Sequence, residues 1–141
     1  MAAIDLNTVR AVVEKRLVAE LENAPPVPVV FHNMAYEPTP GSSWVQCLTT
    51  FGANEYLSQG STTNSQNRVF GLLVINIFSA AGVGPGANYV IGERIRDLYN
   101  RVNVSGVFFD APTGPEVLGS PNPEGYFQTQ VRVTFESIEE L

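Results

Sequence analysis

The chain has 141 residues, of which 44% are hydrophobic and 16% charged, with a formal net charge of −6. That length suits one domain, and so much apolar residue with so little charge excludes a disordered chain. Seven Arg and one Lys against fourteen carboxylates exclude a surface that wraps nucleic acid, which needs clustered cations, though not one past which DNA slides.

The first predicted element is a helix over about Asp5 to Asn23, where Leu6, Val9, Val13, Leu17 and Leu21 recur at steps of three and four. Asp5 or Asn7 suits its cap, and Pro25-Pro26 ends it. Arg10, Glu14, Lys15, Glu20 and Glu22 fall mainly off the apolar stripe, on a face that meets either solvent or a neighbouring subunit. Val27 to Phe31 is a short strand that Pro28 confines to a sheet edge. A turn-rich connector, His32 to Ser43, leads to a strand from Trp44 to Phe51. Gly52 to Asn67 is polar and almost uncharged, and is expected to be a long hairpin loop. The strand that follows, Arg68 to Ser79, is apolar on both faces: Val69, Leu73, Ile75 and Ile77 on one, Phe70, Leu72, Val74 and Phe78 on the other. Such a strand is covered twice. In so small a domain, another subunit is one source of the second layer.

A glycine-rich turn at Gly82, Gly84 and Gly86 opens a second helix, about Ala87 to Arg101, with the stripe Val90, Ile91, Ile95, Leu98 and Tyr99. Strands are expected at Val102 to Phe109 and at Tyr126 to Ser137. In the latter Phe127, Val131, Val133 and Phe135 alternate with Gln128, Gln130, Arg132 and Glu136. Pro112 to Gly125, with four prolines and three glycines, is expected to be a loop. The order favours an α+β fold in one domain over residues 1–141: a mostly antiparallel sheet of about five strands with two helices packed on one face. The most apolar stretch, Phe70 to Gly84, is too short and glycine-rich to span a bilayer. The first turns carry Asp5, Arg10, Glu14, Lys15 and Arg16, unlike a signal peptide, so a soluble protein made in the cytoplasm is expected.

Few residues invite chemistry. Gly82-Val83-Gly84-Pro85-Gly86-Ala87 matches the glycine pattern of a dinucleotide-binding turn, with Asp110 as the candidate ribose ligand. Yet Pro85 removes a backbone donor, Asp110 lies late for that role, and the flanking segments do not repeat as βαβ units. A strand-to-helix turn needing positive φ explains the glycines as well. His32 is the only histidine and stands beside Asn33 at a strand end, where a hydrogen-bonded or exposed role is commoner than general-base catalysis. Cys47 is the only cysteine, which leaves no intrachain disulfide or Cys-based zinc site, and its place in a strand suggests a buried, inert thiol. The carboxylates show no metal-ligand spacing. No catalytic, cofactor-binding or metal-binding residue is expected.

Taken together, the order of motifs resembles the small tail terminator-like proteins of tailed bacteriophages. An amphipathic helix precedes a strand ending in Phe31 and Asn33, and Tyr36 precedes Pro38-Thr39-Pro40-Gly41 and the strand near Trp44. The run Gly71-Leu72-Leu73-Val74-Ile75-Asn76-Ile77-Phe78, the glycine turn with its helix, and the Tyr126–Phe135 strand complete the pattern over nearly the whole chain. The polar stretch Asn54 to Asn67 departs from it. The resemblance implies a non-catalytic virion subunit, assembled in the host cytoplasm, that forms a homohexameric ring at the head-proximal end of the tail tube. There it would end tube polymerisation and offer a surface to head-completion or connector proteins, with DNA passing through the lumen unbound. Another head–tail connector or minor tail protein is the neighbouring reading. A small nucleotide-binding enzyme using Gly82 to Ala87 is the distant one. Subunit contacts are expected from the polar loop, through Gln59, Thr62, Thr63, Asn64 and Gln66, and from the second helix, through Arg94, Arg96 and Arg101.

Overall fold

A computed structural model describes residues 6–22, 26–31, 43–56, 66–80, 82, 85–118 and 126–140. Helix α1 spans Leu6–Leu21 and helix α2 spans Gly86–Tyr99. The strands are β1 (Val29–Phe31), β2 (Trp44–Tyr56), β3 (Gln66–Ala80), β4 (Asn103–Val104), β5 (Val107–Phe109), β6 (Thr113–Leu118) and β7 (Tyr126–Glu140). They form one sheet in the order β1-β2-β3-β7-β5-β4, with β6 also paired to β7. Only β1 and β2 run parallel, and the other pairs are antiparallel. The α+β class and the antiparallel character match the expectation from sequence.

The stripe of α1 meets the inner face of the sheet. Val9, Val13, Leu17 and Leu21 are buried against Val45, Cys47, Leu73, Ile75, Ile77, Val131, Val133 and Phe135, and α2 adds Ile91, Ile95 and Tyr99 to the same core. Each such aliphatic side chain contributes about 1.5–3 kcal/mol on leaving water. Polar ties fix the two helices to each other. The Tyr99 hydroxyl donates to the Val13 carbonyl at 2.7 Å, and Arg16 donates twice to the Leu98 carbonyl, at 3.1 and 2.8 Å. Arg16 thereby satisfies a carbonyl at the end of α2 that has no partner inside the helix. Asn88, in the first turn of α2, donates to the carbonyls of Ile77 and Phe127 and to Thr129 Oγ1, which anchors the start of the helix to β3 and β7.

Several expectations need correction. The sheet has seven strands rather than about five. Val102 to Phe109 is not one strand but a hairpin, because Ser105 and Gly106 both take positive φ, 49° and 82°, and so turn the chain in two residues. The proline-rich stretch from Pro112 holds β6, which pairs with one flank of β7 at Glu116 to Leu118 while β5 pairs further along at Phe135 to Ser137. A proline survives there because the outer side of β6 bears no described partner strand. The hairpin of β2 and β3 is longer than expected: β2 runs to Tyr56 and β3 starts at Gln66, with a register shift between Phe51 and Asn54. Within the helices, Glu14 is buried beside Arg10, with which it is ion-paired, while Leu6 and Val90, both expected on apolar stripes, are 47% and 57% exposed.

Candidate assembly surface

The face of the sheet turned away from the helices is made by alternate residues of β2, β3 and β7, and the register places them in rows. At one end, Trp44 and Phe78 stack at 4.2 Å with Tyr126 edge-on to both, and Val30 joins them. The next row is amide: Gln46, Asn76 and Gln130 stand opposite one another. Asn76 donates to Gln46 Oε1 at 3.1 Å and accepts from Gln128 and Gln130 at 3.0 and 2.9 Å. Four amides thus share one bonded set, which fixes the strands in register at a site where a hydrophobic pair would tolerate slippage.

Beyond that row the face becomes apolar. Leu48 stands opposite Val74, and Leu72 lies one row further, all three half-buried. Phe108 and Ile138, near the far end, are each 39% exposed. Two ion pairs cross the same face, Arg132 with Glu116 and Arg68 with Glu136, both at 3.3 Å. Each cation there has a carboxylate beside it, so the face attracts phosphate weakly. Both helices pack on the other side, and among the described residues no helix lies over this one.

The helical side carries a groove of about 500 Å³ between α1 and the end of α2, lined by Val12, Ala19, Leu98 and Val104 with Lys15, Arg16 and Glu20 at its walls. Of the contact residues expected from sequence, Gln59, Thr62, Thr63 and Asn64 lie outside the described residues. Gln66 opens β3, in register with Glu140. The three arginines do not form one surface. Arg94 turns toward α1, bonding the Glu20 carbonyl at 2.8 Å and its carboxylate at 3.3 Å. Arg96, about 200° around the helix from it, is exposed, and Arg101 follows the helix in a turn with φ 55°. Sequence reasoning missed Tyr89, Val90 and Val117, exposed at 45%, 57% and 53%. The only available signal was that Val90 sits about 100° from Ile91 on the wheel, off the centre of its own stripe.

Of the glycine turn, Val83 and Gly84 lie outside the described residues. Gly82 has φ 89°, and α2 starts after Pro85 with no side-chain cap. The strands on either side of α2 do not make a parallel βαβ unit, since β4 lies at the far edge of the sheet from β3, and both neighbours of β3 run antiparallel to it. Asp110 is held on β7, where its carboxylate accepts from Thr134 at 2.7 Å and its amide donates to the Thr134 carbonyl. His32 lies outside the described residues. Cys47 is fully buried, and that burial, reinforced by the charge of Glu14, pushes its thiol up to about 12, so it is no nucleophile at neutral pH. Among the described residues no three His, Cys, Asp or Glu side chains gather where they could hold a metal ion, and no helix is long and apolar enough to cross a membrane.

Comparison with known proteins supplies the remaining observation. A family described as phage tail terminator protein matches residues 8–135. A solved structure, of a protein bearing only an identifier in place of a descriptive name, shares the fold with a TM-score of 0.71 at 13% identity, over 95% of this chain and 96% of that one. No curated protein matches.

Proposed function

Because the chain belongs to the phage tail terminator family, a structural and non-enzymatic family of the virion tail, we propose that it closes into a hexameric ring on the head-proximal end of the tail tube. The ring ends tube polymerisation by covering the surface on which the next tube ring would add. Its opposite side receives a head-completion or connector protein. DNA passes through the lumen without specific binding.

The observation that carries this reading is the sheet face opposite the helices. It combines half-buried Leu48, Leu72 and Val74 with exposed Phe108 and Ile138, and no described helix covers it. A net charge of −6, with the cations of that face ion-paired, suits a channel wall that does not retain DNA.

Electron microscopy of virions carrying a labelled subunit tests the placement. The expected result is a density ring between head and tail, with tubes of uncontrolled length in particles made without the chain. Label elsewhere along the tail would transfer the protein to a minor tail role. Saturable nucleotide binding by the purified chain would overturn the structural assignment altogether.

A further inference from the structure

We propose that the groove between α1 and the end of α2 receives the outer face of α2 from a second copy of the chain; this rests on the ring reading above. The groove has an apolar floor of Val12, Ala19, Leu98 and Val104 and a volume of about 500 Å³, room enough for a pair of side chains from another helix. Neither of its two cations has an ion pair among the described residues. Lys15 is exposed with no ion pair among the described residues, and Arg16 meets only the Leu98 carbonyl. The one acid in its wall, Glu20, is already ion-paired with Arg94.

The complementary surface lies on the same molecule. Tyr89 and Val90 project from the first turns of α2, 45% and 57% exposed. Glu93 and Asp97 follow Val90 at one-turn steps along the same outer face. Both are exposed and have no ion pair among the described residues. An apolar knob followed by two carboxylates therefore matches an apolar floor edged by two cations. In the assembled contact Tyr89 and Val90 fill the groove, and Glu93 and Asp97 meet Lys15 and Arg16.

Knob and groove are different patches, so the contact is heterologous: each copy offers its knob forward and its groove backward. Such a contact propagates until its rotation closes a ring, whereas a self-complementary patch stops at a dimer. Each exposed ion pair shifts an equilibrium constant by up to about fivefold, and closure repeats the effect at every contact around the ring.

Native mass spectrometry of the purified chain, and microscopy of its incorporation on tail tubes, test the contact with charge exchange. Lys15→Glu and Glu93→Lys are each expected to reduce ring formation, and the double variant Lys15→Glu/Glu93→Lys to restore it. Val90→Lys, at an exposed helical position, is expected to abolish rings while the melting temperature of the subunit stays at the wild-type value. Rings that persist in both single charge variants overturn the proposed contact and leave the ring reading standing. Loss in both singles without rescue in the double also overturns it, because the two surfaces then do not meet. A wild-type chain that forms no ring, alone or on tube ends, removes the ring reading itself.

Discussion

Replacing Gly71 by alanine reverses an ordinary expectation. Within a strand, alanine is usually better than glycine by about 0.5–1 kcal/mol, because glycine loses more backbone freedom on folding. Gly71 pairs with Phe135 across β3 and β7, and the Phe135 ring occupies the place a Cβ would take, with its Cζ and both Cε carbons inside contact distance. The ring has little room to withdraw. Phe135 is 1% exposed, edge-on to Phe51 at 5.9 Å and tilted against Phe109 at 6.0 Å. Forcing a methyl into such packing costs about 1–3 kcal/mol, and most of that survives the backbone gain. A net loss of about 1–1.5 kcal/mol lowers the melting temperature of a domain this size by roughly 3–5 °C. Thermal denaturation followed by circular dichroism measures it. Phe135→Leu vacates part of the space, so Gly71→Ala in that background is expected to lose about 1 kcal/mol less. A wild-type or raised melting temperature for Gly71→Ala would refute the claim that the ring fills this position. An equal loss in both backgrounds would refute the assignment to Phe135.

Two further perturbations probe the same core. Tyr99→Phe removes the bond from α2 to the Val13 carbonyl, which keeps its helical partner within α1, and is expected to lose about 0.5–1.5 kcal/mol, read as a lower urea midpoint at unchanged slope. A midpoint equal to wild type would show that this bond does not hold the helices together. The folded pKa of Cys47, about 12, lies above its ordinary value of 9.0, so its contribution to stability is fully present below about pH 9 and is lost as pH rises toward 12. The unfolded chain releases this proton first, and burial shifts the Tyr99 hydroxyl in the same direction. Urea titrations across that window are expected to show a shallower alkaline loss in Cys47→Ala, and identical slopes would count against the buried thiol.

How far the candidate surface could be read in advance depended on the kind of signal each part carries. The double apolar character of β3 was visible in Phe70, Leu72 and Val74, because a period of two assigns a face without knowledge of neighbours. The exposure of Tyr89 and Val90 was not, since it depends on where α2 stops touching the sheet. Arg94 illustrates the same limit: its position on the helix was evident, but its partner, Glu20, is 74 residues away in the chain and meets it only when α1 and α2 pack.

By itself the sequence determined the local quantities: most of the core stripe of α1, the place of α2 after its glycine turn, the edge position of β1, the inward and outward alternation of β7 and the lack of a disulfide partner for Cys47. Each follows from periodicity, from proline and glycine sterics, or from the absence of chemically competent groups. Tertiary structure decided what depends on pairing. The flank of β7 accommodates both β5 and β6 because β7 is 15 residues long, far more than either partner needs. That length lets Thr113–Leu118, the first part of an apparent proline-rich loop, pair as a strand. Asn76 becomes a hub only when register brings Gln46, Gln128 and Gln130 to it. Burial and partnership between distant segments are properties of the packed sheet and helices, and no window of the chain contains them.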